Sequence, residues 1–173
     1  LGEQTALMLG ARIAYGNSYG KTKTRSNGGL PFFENFNGGG YSDVMVRGFE
    51  NSTLGAKTLD RENGIVSYGG NKAVGLNAEI FTPIPFISKE ASENVRLSAF
   101  VDAGSVWDGK TYSGAPYKTA HHSNMRNEFR ASAGVGISWN SPIGPVKFTY
   151  AQPLRKRDSD QIQRFQFQLG WQF

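Results

Sequence analysis

The sequence predicts an all-β protein built of long antiparallel strands, and three observations carry that prediction. Apolar and polar residues alternate with a period of two along most of the chain, while the 3.6-residue period of a helix is nearly absent. The 173 residues include 22 Gly, 12 Phe, 7 Tyr and 3 Trp, yet mean hydropathy is only -0.44. Polar on average but rich in glycine and aromatics is the profile of extended β proteins, outer-membrane barrels included. The alternating segments run about 9–13 residues, longer than the usual five or six and close to the tilted ~9–11 that cross an outer membrane. A soluble sandwich would alternate too. Strand length and aromatic strand ends favour the membrane barrel over it.

The first strand covers about Thr5 to Tyr15, with Leu7, Leu9, Ala11, Ile13 and Tyr15 on one face and Gly10, Arg12 and Ala14 on the other. Residues 16–70 read as one long loop punctuated by Gly28-Gly29, Gly38-Gly39-Gly40, Gly69-Gly70 and Pro31. So long a structureless stretch in a compact domain is normally functional. The second strand, about Ala73 to Phe81, sets Val74, Leu76, Ala78 and Ile80 against Gly75, Asn77, Glu79 and Phe81, and Pro83 and Pro85 end it. The third, about Asn94 to Trp107, opposes Val95, Leu97, Ala99, Val101, Ala103 and Trp107 to Arg96, Ser98, Asp102 and Gly104.

After a polar loop at 108–126, the fourth strand alternates most regularly. Phe129, Ala131, Ala133, Val135, Ile137 and Trp139 interleave with Glu128, Arg130, Ser132, Gly134, Gly136, Ser138 and Asn140. The breakers Ser141-Pro142-Ile143-Gly144-Pro145 make a tight turn. The fifth strand, about Val146 to Gln152, places Val146, Phe148 and Tyr150 opposite Lys147 and Thr149. The sixth, about Gln161 to Phe173, places Phe165, Phe167, Leu169, Trp171 and Phe173 opposite Arg164, Gln166, Gln168, Gly170 and Gln172. Tyr15, Trp107, Phe129, Trp139, Trp171 and Phe173 near strand ends fit an interfacial girdle. Long and short connections alternate, as in barrels with short periplasmic turns, which places 82–93, 141–145 and the chain end on the periplasmic side. Six strands cannot close, since the smallest such barrels have eight, so the chain is expected to be part of a larger barrel.

Other classes are excluded in turn. No apolar run approaches the ~18 residues of a membrane helix. The absence of cysteine removes disulfides and thiolate metal sites. Net charge is +5, and the densest basic run, Arg155-Lys156-Arg157, is followed at once by Asp158 and Asp160, so it reads as a solvated loop rather than a nucleic-acid site. Gly20-Lys21-Thr22 lacks the leading glycine of a phosphate loop, that position being Tyr15. His121 and His122 are adjacent, would project apart on a strand and have no further histidine to complete a zinc site. No cofactor, metal or catalytic constellation is expected.

Several ordered motifs carry a resemblance to a known family. They are Pro31-Phe32-Phe33-Glu34-Asn35-Phe36 before Gly38-Gly39-Gly40, then Val46-Arg47-Gly48-Phe49-Glu50, Ala78-Glu79-Ile80-Phe81-Thr82-Pro83, Phe100-Val101-Asp102-Ala103-Gly104, Ser138-Trp139, Ser141-Pro142-Ile143-Gly144-Pro145, Tyr150-Ala151-Gln152-Pro153-Leu154 and Gln163 to Gly170. Across nearly the whole chain this series resembles the BamA family of outer-membrane insertases. The resemblance implies an all-β antiparallel transmembrane barrel segment, about six C-terminal strands of a barrel of sixteen, preceded in the family by POTRA domains. Residues 1–173 would be the C-terminal portion of the barrel domain, with the loop at about 16–70 folding into the lumen.

The resemblance also implies roles. Val46, Arg47, Gly48 and Phe49 would be the loop motif, with Arg47 reaching the wall to pair with Glu79 and Asp102. Strand phasing independently puts both carboxylates on the polar face, and a guanidinium forks well onto carboxylates. Phe165, Phe167, Gly170, Trp171 and Phe173 would form the C-terminal signal and gate strand, with Gly170 as a kink, since glycine weakens a strand. The implied function is folding and inserting β-barrel proteins into the bacterial outer membrane through a lateral gate, without enzymatic activity. Unfolded clients, accessory assembly lipoproteins and outer-membrane lipid would be the partners, and nucleic acid would not. The alternatives are a two-partner-secretion transporter, which shares the Val-Arg-Gly element, and a structural or adhesin barrel.

Overall fold

The structure is a computed structural model that describes residues 5–20, 30–60, 62, 64–84, 94–142 and 144–170. Its frame is a six-stranded antiparallel sheet. In spatial order the strands are β1 (Ala6–Tyr15), β5 (Lys72–Pro83), β6 (Val95–Trp107), β9 (Arg130–Ser141), β10 (Gly144–Arg155) and β12 (Phe165–Leu169). Each strand pairs with the next large strand along the chain. The sheet is therefore an open meander with β1 and β12 at its edges. No helix among the described residues is long and apolar enough to cross a membrane.

The two faces are inverted relative to a soluble sheet. Outward-facing Leu9 and Ile13 are 73% and 85% exposed, and Leu76, Val101, Val135, Ile137, Tyr150, Phe165 and Phe167 are exposed with them. The opposite face buries many polar side chains, among them Glu79, Asp102, Arg130, Ser132, Thr149 and Gln166. Val146 departs from its expected outward exposure. It is buried, flanked in register by Trp139 and Leu169. Of the strand-end aromatics, Tyr15 and Trp139 are exposed and Trp107 and Phe129 are half-buried. Trp171 and Phe173 lie outside the described residues.

The small apolar core lies under the long loop instead of between two layers. Val44, Val46, Phe49 and Leu54 of the loop pack on Ala73 and Val106 of the sheet. Glycine makes the room. Gly75 and Gly104 are register partners on β5 and β6. A Cβ at Gly104 would stand 2.4 Å from Val44 Cγ1, and one at Gly75 would stand 3.1 Å from it. The paired glycines thus form a trough that receives the loop.

Three expectations need correction. Residues 16–70 are not structureless where described. They hold a 3-10 turn (Phe32–Glu34), β2 (Gly48–Phe49) and a hairpin of β3 (Ala56–Asp60) with β4 (Gly64–Gly69). The loop at 108–126 likewise contains a small hairpin, β7 (Thr111–Tyr112) with β8 (His121–His122). The final strand is broken. Ile162–Gln163 (β11) pair with β2 of the loop, and only Phe165–Leu169 pair with β10. Glycine-rich, weakly alternating segments hide such pairings, because their backbone bonds depend on partners distant in sequence.

Candidate functional site

The site begins with a loop that bonds to itself. Gly39 N donates to Val44 O (3.1 Å), Gly40 N to Val46 O (2.9 Å) and Leu54 N to Gly38 O (2.9 Å). Asn37 N donates to the Asp43 carboxylate at 3.0 Å. These bonds hold residues 37–54 in one shape, so Arg47 is presented from a fixed base.

Beneath it, β5 and β6 supply a four-residue platform. Asn77 pairs with Asp102 in register, and Glu79 with Phe100, all on the inner face. Arg47 Nε and Nη2 donate to the two oxygens of Asp102 at 2.7 and 2.9 Å. Nη1 donates to Glu79 Oε2 at 2.8 Å, and the backbone N of Arg47 also donates to Asp102 Oδ2, at 3.0 Å. The guanidinium carbon lies 3.4 Å from the centroid of the Phe100 ring, a cation–π stack. Asn77 Nδ2 ties Asp102 Oδ1 and the Met45 carbonyl together, both at 2.9 Å. Lys147 of β10 adds a bond to Glu79 at 2.9 Å. The side chains of Arg47, Glu79 and Asp102 are 0% exposed.

The structure therefore brings the three expected residues together. Two cations face two carboxylates, and every charge is matched. Such an arrangement suits fastening, because its charged groups are already engaged with one another. Sequence reasoning passed over Phe100 and Lys147. Phe100 has the parity of Asp102 and could have been found by it, while the reach of Lys147 across β6 and β9 leaves no mark in the sequence.

The rest of the loop motif is also buried. Val46 and Phe49 are 0% exposed. Gly48, with φ +91°, sits where a Cβ would come 3.0 Å from Ala151 Cβ on β10, so this position needs glycine for both conformation and space. Phe165 and Phe167 point outward, and Gly170 has φ +90° while its N donates to Pro145 O at 2.9 Å.

A second buried ion cluster was not foreseen. Lys57 on β3 donates to Asp160 Oδ1 at 2.6 Å and to the Ser159 carbonyl at 2.8 Å. Arg130 at the start of β9 donates to the two oxygens of Asp160 at 2.5 and 3.2 Å. His121 Nε2 lies 2.5 Å from Glu128 Oε1, and its ring stacks on Tyr117 with centroids 4.3 Å apart. Arg157 Nη1 lies 2.9 Å from His121 Nδ1. The reading of 155–160 as a solvated loop is thus corrected in part. Arg155 and Lys156 are exposed, but Asp160 is buried at the centre of this cluster. Burial alone would raise the Asp160 carboxyl. Hydrogen bonds and charge from Arg130 and Lys57 outweigh it and hold the carboxyl below its usual range. Among the described residues no group of three or more acidic or histidine side chains is arranged for a metal ion.

The chain matches the Omp85 superfamily domain over residues 2–173. It is 45% identical over its full length to the outer membrane protein assembly factor BamA of Neisseria meningitidis serogroup B, covering 22% of that protein. It is 29% identical over 87% of its length to the BamA of Nitratidesulfovibrio vulgaris, covering 17% of it. Among solved structures it is similar to BamA from Haemophilus ducreyi lacking POTRA domains 1-3, with a TM-score of 0.73 and 36% identity, over 95% of this chain and 31% of that one. The chain thus spans less than a third of each of these relatives. An antiparallel sheet with an apolar outside, a polar inside and this likeness is a segment of a transmembrane barrel, and the chain belongs to the Omp85 superfamily.

Proposed function

We propose that this chain is the C-terminal part of the barrel of an outer-membrane protein assembly factor, whose whole folds β-barrel clients and inserts them into the outer membrane. The exposed apolar face meets lipid, and residues 16–70 fold back into the lumen. The observation that carries the reading is the buried cluster of Arg47, Glu79 and Asp102, which fastens the loop to the inner wall. The relatives named as assembly factors support it.

The mechanism is physical, and no client bond is made or broken. An unpaired strand edge is prohibitively costly in hydrocarbon, because its N–H and C=O groups have no water to bond. A wall edge that can be vacated offers client strands a template that satisfies those groups. Among the described residues β9 pairs with β10 from Gly144 to Arg155, and β12 pairs with it from Val146 to Tyr150, with single bonds beyond at Pro145 and Ala151. The last strand would part from the barrel's first strand at a lateral gate, with Gly170 as the kink. Phe165, Phe167, Trp171 and Phe173 would serve as the C-terminal signal. Unfolded clients, assembly lipoproteins and membrane lipid are the partners.

The test is Arg47→Ala in the full-length protein. Removing the cation leaves Glu79 with Lys147 alone and Asp102 with neutral Asn77, a loss of roughly 3–5 kcal/mol for a buried pair. Growth should fail, client barrels should stop assembling, and the loop should become trypsin-sensitive. Normal client assembly with a trypsin-sensitive loop would overturn the role of the latch. Loss of one secreted polypeptide with normal barrel assembly would point to a transporter instead.

A further inference from the structure

The terminal segment is shared between two partners. Residues 161–163 pair with the long loop: Glu50 N donates to Gln161 O at 3.0 Å, and Ile162 and Gln163 pair in register with Phe49 and Gly48. Residues 164–169 pair with the wall: Ala151 N donates to Arg164 O at 2.8 Å, and Phe165–Leu169 run along β10. The two allegiances change over at Arg164.

Gln166 crosses that divide. Its backbone belongs to β12 on the wall, opposite Thr149. Its side chain, in a residue only 4% exposed, turns inward to the loop. Nε2 donates to the Phe49 carbonyl at 2.7 Å, and Oε1 accepts from Gly48 N at 3.2 Å. The amide thus acts as one more peptide unit, extending the loop's ladder onto a wall strand. Gly48 is the next residue after Arg47, whose guanidinium is fixed to β5 and β6.

We propose that Gln166 is a positioning residue that couples the loop latch to the terminal strand, so that release of Arg47 loosens β12 and release of β12 loosens Arg47. The geometry requires this reciprocity. Gly48 and Phe49 cannot leave their place without stranding a buried amide on β12. Nor can β12 leave without taking the Gln166 amide from Gly48 N and stranding Phe49 O. Coupling between sites is mutual by thermodynamic necessity. The proposal rests on the lateral-gate reading above only for its consequence, that loop and gate would open as one unit.

The experiment is amide hydrogen exchange on the full-length protein in lipid vesicles, with heat-modifiable migration as the check that the barrel is closed. Arg47→Ala, Gln166→Met and the double variant are compared over peptides spanning 46–50, 165–169 and 6–15. Arg47→Ala should speed exchange at 165–169 about tenfold, although the guanidinium is bonded to β5 and β6, because loosening Gly48 and Phe49 strands the buried Gln166 amide. Gln166→Met should do the same at 46–50. The double variant should exceed neither single variant by much, and 6–15 should not change. Unchanged exchange at 165–169 in Arg47→Ala, or fully additive effects, would overturn the coupling. Should Gln166→Met fail to close, Gln166→Asn tests the same point with a polar side chain one methylene too short. Client insertion is measured in parallel. Joint loosening with normal insertion keeps the coupling and defeats the gate reading, and independent loosening with lost insertion does the reverse.

Discussion

The two buried ion clusters use the same chemistry on different scaffolds. Around Arg47 both carboxylates stand on adjacent strands of a continuous ladder, two residues from their neighbours on the same face. Around Asp160 the members come from β3, from β8 and the loop that follows it, from Arg130 at the first position of β9 and from the turn after β10. Strands set the spacing of the first cluster before the cation arrives. The second is assembled by the cations themselves, which draw three excursions of the chain onto the end of β9. The first should therefore behave as a rigid socket and the second as a clasp that opens without disturbing the sheet.

The strongest way to break that contrast is a matched pair of substitutions. Arg47→Met strands carboxylates that cannot move apart and should cost roughly 3–5 kcal/mol, read as a lowered unfolding midpoint of the full-length protein. Lys57→Met leaves Asp160 still held by Arg130 and the Arg157 backbone, so about 1 kcal/mol should be lost. Equal losses would refute the socket and clasp distinction. Between these, Gly104→Ala tests how the loop is seated. The added methyl would overlap Val44, and overpacking should cost about 1–3 kcal/mol and raise protease cleavage within 37–54 while the barrel stays closed.

The smallest effect is one of pH. The folded Asp160 carboxyl lies below its unfolded value near ~4, so its contribution is present in full above that value and is lost as pH falls through the folded value. Exchange protection of the β3–β4 hairpin should hold from neutral pH down to about 5 and fall below ~4. Asp160→Asn should remove that acid dependence. A hairpin equally protected at every pH would mean that the clasp does not hold it.

Much of the first cluster was legible because β parity is a local rule. Val101 and Asp102 must point to opposite faces whatever else the chain does, and the same rule placed Glu79 with Asn77. The second cluster was illegible for the converse reason. Lys57 lies in a glycine-rich stretch with no period, Asp160 follows three cations that suggested solvent, and His121 was weighed as a metal ligand when its use is to stack and pair. The break at Arg164 did leave a mark, because apolar Ile162 is out of phase with Phe165, Phe167 and Leu169, but one residue out of phase does not say that the two halves bond to different partners.

By itself the sequence determined the long wall strands in outline and, Val146 apart, which of their residues face out or in. Strand pattern and short turns are encoded within about a dozen neighbouring residues, and the pleat converts them directly into faces. Only the tertiary structure decided that the loop carries its own hairpin, that Gly75 and Gly104 form its trough, and that Gln166 spans loop and wall. The trough and the Gln166 bridge depend on residues 29 to 118 positions apart meeting at ångström distances, and contact made at that range leaves no period in the chain; the hairpin is local, but its strands lack a clear alternation of apolar and polar residues.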